Sequence, residues 1–230
     1  GQPMIRHLPM FLSGLTAGRS LPSVAPQPFR DILPTIKQDV PNPKGKIAIF
    51  TGCLLDFVYV DIATDVVKAL NMAGYIVEMP LGQACCGAPA TYMGDVENAK
   101  KAAEMNLNAM EAEKYDYIVS ACPTCTHAEM LKKAEELRSK TFDFCKLVSM
   151  LGGLPDTGDG VPMKVTYHDS CHLNRYLGVT KEQRELLKAT KGVELIEMHD
   201  CDKCCGFGGS YSVKFPEMSA PILEEKINNI

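Results

Sequence analysis

The 230 residues contain no tryptophan, no long basic run and no apolar stretch near the roughly 20 residues that a bilayer span needs. "LPMFLSGL" (8–15) is too short to span, and it lacks the cationic start and cleavage site of a secretory signal. A net charge of −4 leaves no electrostatic footprint for nucleic acid. No Gly-x-Gly-x-x-Gly follows a strand-like run, so a nicotinamide or flavin site has no support. What the chain has in excess is cysteine, ten in all. In a small secreted chain that number would read as a disulfide framework, but this chain is neither small nor visibly secreted. Reduced, cytoplasmic, metal-binding thiols fit better.

Two of the ten are adjacent in "QACCGAP" (83–89), where Gly87 follows Cys85 and Cys86. Neighbouring residues rarely suit disulfide geometry, so a bridge between them is not expected. "DKCCGFGG" (202–209) repeats the order with Cys204, Cys205 and Gly206. Two such triplets point to a shared type of ligand.

Residues 1–45 hold many of the prolines and no sustained period, and read as an extension lying on a surface. From Lys46 the pattern changes. "KIAIF" (46–50), "YIVEM" (75–79) and "YDYIVSA" (115–121) are short apolar runs of the buried parallel-strand type. Between the first two, Asp61 can cap a helix with the stripe Ile62, Val66, Ala69, Leu70 and Ala73, stopped by Gly74. Between the second and third, Asp95 can start a helix with Val96, Ala99, Ala103, Leu107 and Met110 on one face. After the third, Ala128, Leu131, Ala134 and Leu137 keep helical spacing, and Met105 and Met130 read as core. Strand–helix–strand–helix–strand is the signature of a parallel α/β sheet. Cys53, the pair Cys85 and Cys86, and the pair Cys122 and Cys125 each follow a strand, and the carboxyl ends of parallel strands share one edge. These five thiols are expected to converge there.

The pattern repeats. "KVTYHDSC" (164–171) aligns with "KIAIFTGC" (46–53), so Cys171 falls on Cys53. "KEQRELLKAT" and "VELIEM" supply the next helix and strand, and Cys204 and Cys205 fall on Cys85 and Cys86. A second, incomplete site of Cys171, Cys204 and Cys205 is expected. Its missing Cys-x-x-Cys would lie about eleven residues past Ile230, as in a piece of a longer polypeptide. The fold expected is α/β: two repeated Rossmann-like units with short parallel sheets, over 46–155 and 162–230, the second truncated and packed on the first through an apolar interface.

A structural zinc site takes four ligands, so five thiols are one too many, whereas an iron–sulfur cluster offers several irons to soft thiolates. Gly87 would let the backbone approach inorganic sulfide. The spacing Cys-x31-Cys-Cys-Gly-x34-Cys-x2-Cys resembles the cysteine-rich CCG domain of the heterodisulfide reductase B subunit and of the iron–sulfur subunits of glycolate oxidase and lactate-utilization complexes. "QACCGAPA", "YIVSACPTC", "VTYHDSCHL" and "CCGFGGSYSVKFPE" extend that likeness over 46–230. "HLPMFLSGLTAGRSLP" is similar to segments that join a ferredoxin-like domain to CCG domains. The resemblance implies a [4Fe–4S] cluster on Cys53, Cys85, Cys86, Cys122 and Cys125, non-cubane in some relatives, with zinc as the alternative occupant. It also implies an electron-transfer role in oxidation of a lactate- or glycolate-type 2-hydroxy acid. The chain would then do no bond chemistry. Its partners would be a flavoprotein dehydrogenase subunit and a ferredoxin-like iron–sulfur domain, in the cytoplasm or at the inner face of the membrane through those partners. The competing functions are a thiol–disulfide reductase acting at the cluster and a structural zinc module.

Other residues have plainer readings. Cys145, in "TFDFCKL", reads as core, and Cys201 as a thiol beside the second site. His168 and His172 flank Cys171 and suit either a hydrogen bond to cluster sulfur or a backbone-satisfied strand end. His7, His127 and His199 receive no role.

Overall fold

A computed structural model describes residues 22–128, 135–155 and 160–230. In chain order the first unit comprises α1 (Phe29–Ile32), β1 (Gly45–Ile49), α2 (Gly52–Phe57), α3 (Val60–Met72) and β2 (Tyr75–Glu78). It continues with α4 (Ala88–Tyr92), α5 (Val96–Met110), β3 (Tyr117–Ser120), α6 (Pro123–His127), α7 (Glu135–Lys140), β4 (Thr141–Asp143) and α8 (Phe144–Met150). The strands form one sheet in the order β2-β1-β3-β4, each neighbouring pair parallel. Ile47, Ala48 and Ile49 of the central β1 are fully buried, because helices cover both faces and no alternation survives.

The second unit is smaller. β5 (Met163–Val165) pairs in parallel with β6 (Val193–Leu195), and α9 (Glu182–Ala189) connects them. A π-helical segment, His172–Leu177, follows Cys171, and α10 (Ser210–Lys214) and α11 (Pro216–Ile227) follow the second Cys-Cys-Gly. The expected α/β class, with two short parallel sheets, is the fold observed.

Several details differ from the sequence reading. α3 begins at Val60 with Tyr59 at its N-cap position, so Asp61 lies in the first turn rather than at the cap. The buried stripe is Ala63, Val66, Val67 and Leu70, while Ile62 faces solvent. That set has i, i+3, i+4, i+7 spacing, and the earlier start turns Ile62 off the core face. In α5 Asp95 is the cap, its Oδ1 accepting from the Asn98 N–H at 3.2 Å. Val96, Met105 and Leu107 are nevertheless exposed, because this helix packs through small residues close to the loop before it. Beyond Cys125 the helix stops at His127, where Ala128 turns to extended backbone (ψ 134°). Met130, Leu131 and Ala134 lie outside the described residues, as do His7 and the 7–20 segment, and Leu137 is buried in α7. "TFDFCKL" holds an unanticipated edge strand, β4, and Asp143 caps α8 by accepting from the N–H groups of Cys145 and Lys146. Cys145 is half-buried there.

The proline-rich extension does not simply lie on the surface over its described part. Phe29 is fully buried in the core formed by Ile47, Val67, Leu70 and Val119, and Leu33 joins it. The Arg30 guanidinium pairs with Asp56, whose side chain is wholly buried. Gln38 binds the β2 backbone by accepting from the Val77 N–H and donating to its carbonyl, both at 2.8 Å. Between the units the contact is mixed rather than apolar. Leu186 packs against the first core, beside the ion pair Lys146–Glu182 at 2.6 Å and a cluster of rings.

Replacing Phe29 by alanine therefore removes a fully packed ring. A loss of about 3–5 kcal/mol is expected in urea denaturation, against a few tenths for a residue lying on the surface.

Candidate metal centre

Each of the five first-unit thiols sits just past a strand. Cys53 follows β1 in the first turn of α2, Cys85 and Cys86 follow β2 and precede α4, and Cys122 and Cys125 follow β3 at the start of α6. β1 lies between β2 and β3, at the point where the strand order switches direction, and ligands of open parallel sheets collect there. The thiols are neighbours: Cys53 feels the charge of Cys85 and Cys86, Cys86 feels Cys85, Cys122 and Cys125, and Cys125 feels Cys86 and Cys122. Cys86 and Cys125 are buried, Cys85 and Cys122 half-buried, and Cys53 exposed at the mouth.

Their acidities diverge for local reasons. The Cys125 thiol, donating toward Cys122, brings that neighbour down to about 6, helped by the N–H groups of Cys125 and Thr124. Interaction with Cys125 also brings Cys86 down to about 7. Cys125 itself is driven well above the ordinary range by its bonds to Cys122 and Cys86 and by burial. Desolvation and the neighbouring Cys85 push Cys53 up to about 11. Cys122 and Cys86 are thus shifted toward thiolate, the form in which sulfur binds a metal, while Cys125 holds its proton.

The loops are held by side chains that cysteine spacing does not announce. Gln83 donates to the Ile49 carbonyl (2.9 Å) and accepts from the Thr51 N–H (3.3 Å), tying the loop before Cys85 to the end of β1. Asn106, fully buried in α5, accepts from the Ala84 N–H (2.8 Å) and donates to the Cys85 carbonyl (3.0 Å). The only sequence signal for Asn106 is an amide inside a helix whose other polar residues are mostly at the surface. Gly52 (φ +56°) leaves room for the Cys125 sulfur, which would lie 2.8 Å from an added Cβ. Gly87 (φ +79°) packs on α5, with the Ala99 carbonyl 3.3 Å from where a Cβ would stand. The left-handed backbone gives the sharp turn that glycine permits here, and the close helix would crowd an added Cβ.

The second unit repeats the device with different parts. Gly206 (φ +74°) packs even more tightly on α11, where an added Cβ would meet the Ser219 carbonyl at 2.5 Å. The loop is tied by Lys226, 5% exposed, which donates to the carbonyls of Asp200 and Cys201 at 2.7 and 2.8 Å. Arg184 grips Asp169 with two bonds (2.9 and 3.0 Å), also binds Glu197, and lies 3.4 Å from the Cys201 sulfur, which donates to Asp169 at 3.3 Å. Cys201 is thus held in a polar clamp behind the loop. His168 turns its Nδ1 to the Cys201 carbonyl (3.1 Å), the backbone-satisfied reading. His172 instead approaches the Cys171 sulfur at 3.6 Å. Cys171 and Cys204 are exposed and Cys205 half-buried. The Cys204 sulfur accepts from the Gly206 N–H at 3.3 Å, and among the described residues no thiol–thiol contact joins these three.

Among the described residues no group of three or more His, Cys, Asp or Glu side chains is arranged to hold a metal ion. The donor set fits an iron–sulfur cluster by its all-thiol chemistry.

The sequence profile of the cysteine-rich domain family, CCG, matches residues 47–128 and 165–230, both units of the fold. The chain is similar to lactate utilization protein A 1 of Bacillus mycoides (strain KBAB4), 36% identical over 196 residues and covering 80% of each chain. It is 35% identical to lactate utilization protein A of Shouchella clausii (strain KSM-K16), over 80% of this chain and 81% of that one. With lactate utilization protein A of Bacillus subtilis (strain 168) it is 34% identical, over 79% and 81% of the two chains.

The packing at Gly206 can be separated from left-handed backbone alone. Gly178 (φ +65°) has nothing within 4 Å of an added Cβ. Gly178→Ala is expected to cost about 1–2 kcal/mol for its conformation. Gly206→Ala should cost clearly more, because the Ser219 carbonyl must also move. Equal losses in thermal or urea unfolding would count against close packing of α11 on the loop.

Proposed function

This chain belongs to the cysteine-rich CCG domain family, and from that premise we propose that it is an electron carrier in lactate utilization. In this reading Cys53, Cys85, Cys86, Cys122 and Cys125 hold a [4Fe–4S] cluster, which when bound accepts and releases single electrons. The donor is a flavoprotein that oxidises lactate or a similar 2-hydroxy acid, and the acceptor is a ferredoxin-like iron–sulfur domain or subunit. The observation that carries the reading is that three loops, each leaving a strand of one parallel sheet, bring the five cysteines to the same sheet edge. Support also comes from relatives named lactate utilization protein A along four-fifths of the chain.

The protein's own residues do three things for such a centre. Gln83 and Asn106 fix the backbone that leads into Cys85, so this loop needs little reorganisation to bind. The buried Cys86 and Cys125 exclude water from one side, and the exposed Cys53 leaves the other open to a redox partner. The neighbouring Cys125 shifts Cys86 and Cys122 toward the thiolate form that binds metal. In the second unit Cys171, Cys204 and Cys205 offer three thiols, and an incomplete site gives less metal affinity. No helix among the described residues is long and apolar enough to cross a membrane, and all ten cysteines are free. A cytoplasmic carrier, meeting the membrane through partners, is the setting proposed.

The test is anaerobic reconstitution with ferrous iron and sulfide, comparing this chain with a Cys85→Ser/Cys86→Ser variant. The chain should take up about four irons with matching acid-labile sulfide and develop the broad visible absorption of a cluster. The variant should lose most of both. Equal uptake by the two proteins would remove the first Cys-Cys-Gly from the ligand set. Zinc uptake without sulfide incorporation would replace the carrier with a structural zinc module.

A further inference from the structure

α4 and α6 are each five residues long, and each begins at first-unit cysteines and ends on a ring. α4 follows Cys85, Cys86 and Gly87 and ends at Tyr92. α6 has Cys122 at its N-cap, includes Cys125, and ends at His127. Both rings reach the same side chain of the second unit. Tyr92 Oη lies 3.0 Å from His172 Nε2, and the His127 ring centre is 5.7 Å from that of His172. Tyr176, one turn further on, completes the cluster at 4.2 Å from His127 and 5.6 Å from His172. The other ring nitrogen of His172, Nδ1, points to the Cys171 sulfur at 3.6 Å. One tautomer satisfies both contacts: Nε2 accepts from the Tyr92 hydroxyl and Nδ1–H donates to sulfur.

We infer that His172 is a positioning residue through which the first cysteine site governs the order of Cys171 in the second unit. The inference rests on the reading that the first-unit thiols bind a metal centre. Ligands drawn onto such a centre fix the first turns of α4 and α6, and helices this short pass that constraint to their last residues. Tyr92 and His127 then hold His172, and His172 holds Cys171. The receiving side is built to respond. Its sheet has only two strands, marginal by itself, and the segment after Cys171 is π-helical, a rare form that is frequent at functional sites. Segments with little support of their own are the ones that change order when a neighbour does. Filling the first site therefore prepares the second for its ligand, a coupling carried by contacts that are all on one path.

The experiment follows amide hydrogen exchange of residues 171–177 in the full chain, with and without anaerobic loading by ferrous iron and sulfide, and with iron and sulfide measured in each sample. Loading should slow exchange there by at least about fivefold, the lower end of ordinary coupling between sites. In Tyr92→Phe/His127→Leu the slowing should disappear although uptake is unchanged. Tyr176→Phe, which keeps its ring on His127, should retain it. Tyr92 is 57% exposed, so Tyr92→Phe alone gives a folded test if the double variant does not fold, and it should weaken the slowing. Uptake without slowing, or equal slowing in Tyr92→Phe/His127→Leu, would overturn the inference. If zinc but not iron with sulfide is taken up, the iron–sulfur reading fails and zinc loading decides the coupling by the same measurement. Uptake of neither would overturn both.

Discussion

Parallel pairing of β1 with both β2 and β3 is the constraint on which the cysteine site depends. Residues 53, 85 and 122 are far apart in the chain, and local conformation alone would not gather them. Once Ile47 stands opposite both Val77 and Tyr117, the ends of three strands are in step and the loops leaving them share one edge. The sheet is held by ordinary burial: Ile47, Ile49, Val67, Leu70, Val119 and Phe29 exclude water from its face. Burial of this kind gives roughly 25 cal/mol per Å² of apolar surface, without direction. The hydrogen-bond register turns that undirected force into a meeting of five sulfurs.

The two units show one solution carried out with different chemistry. In both, a left-handed glycine after the adjacent cysteines lets the next long helix lie against the loop, and in both a buried polar residue of that helix ties the loop backbone. The first unit uses the neutral Asn106, and the second uses the ammonium of Lys226. Burying an ammonium is costly unless its protons are used, and two carbonyls use them here. The link between strand end and loop changes likewise, from the amide of Gln83 to the arginine–carboxylate clamp of Arg184, Asp169 and Glu197. The second unit therefore places two cationic side chains behind its loop where the first uses two amides. Arg184 is matched there by the carboxylates of Asp169 and Glu197, so the second loop is held by ion pairs where the first is held by neutral amides.

The first-unit thiols also share protons. Cys125 shifts its neighbours Cys122 and Cys86 toward thiolate, and with its burial they make its own ionisation unfavourable. Binding a metal replaces those protons, so affinity and pH are linked at this edge.

Much of this was legible in the residues alone. Short apolar runs before each cysteine group predict parallel strands, and the recurrence of Lys-x6-Cys and Cys-Cys-Gly predicts a second unit, because strand burial and loop chemistry are local properties of sequence. Cys145 as part of a packed region and Asp95 as a cap were readable for the same reason. Tertiary structure alone decided what depends on neighbours distant in sequence. Ile62 faces solvent because helix start and rotation are set by packing, and Phe29 enters the core because the sheet leaves space for it. Asn106, Lys226 and Arg184 matter through the backbone groups they reach, which no spacing rule encodes. His127, without a role in sequence, meets His172 and Tyr176 because the units dock there, and docking is decided by the shape of two folded surfaces rather than by the order of residues in either.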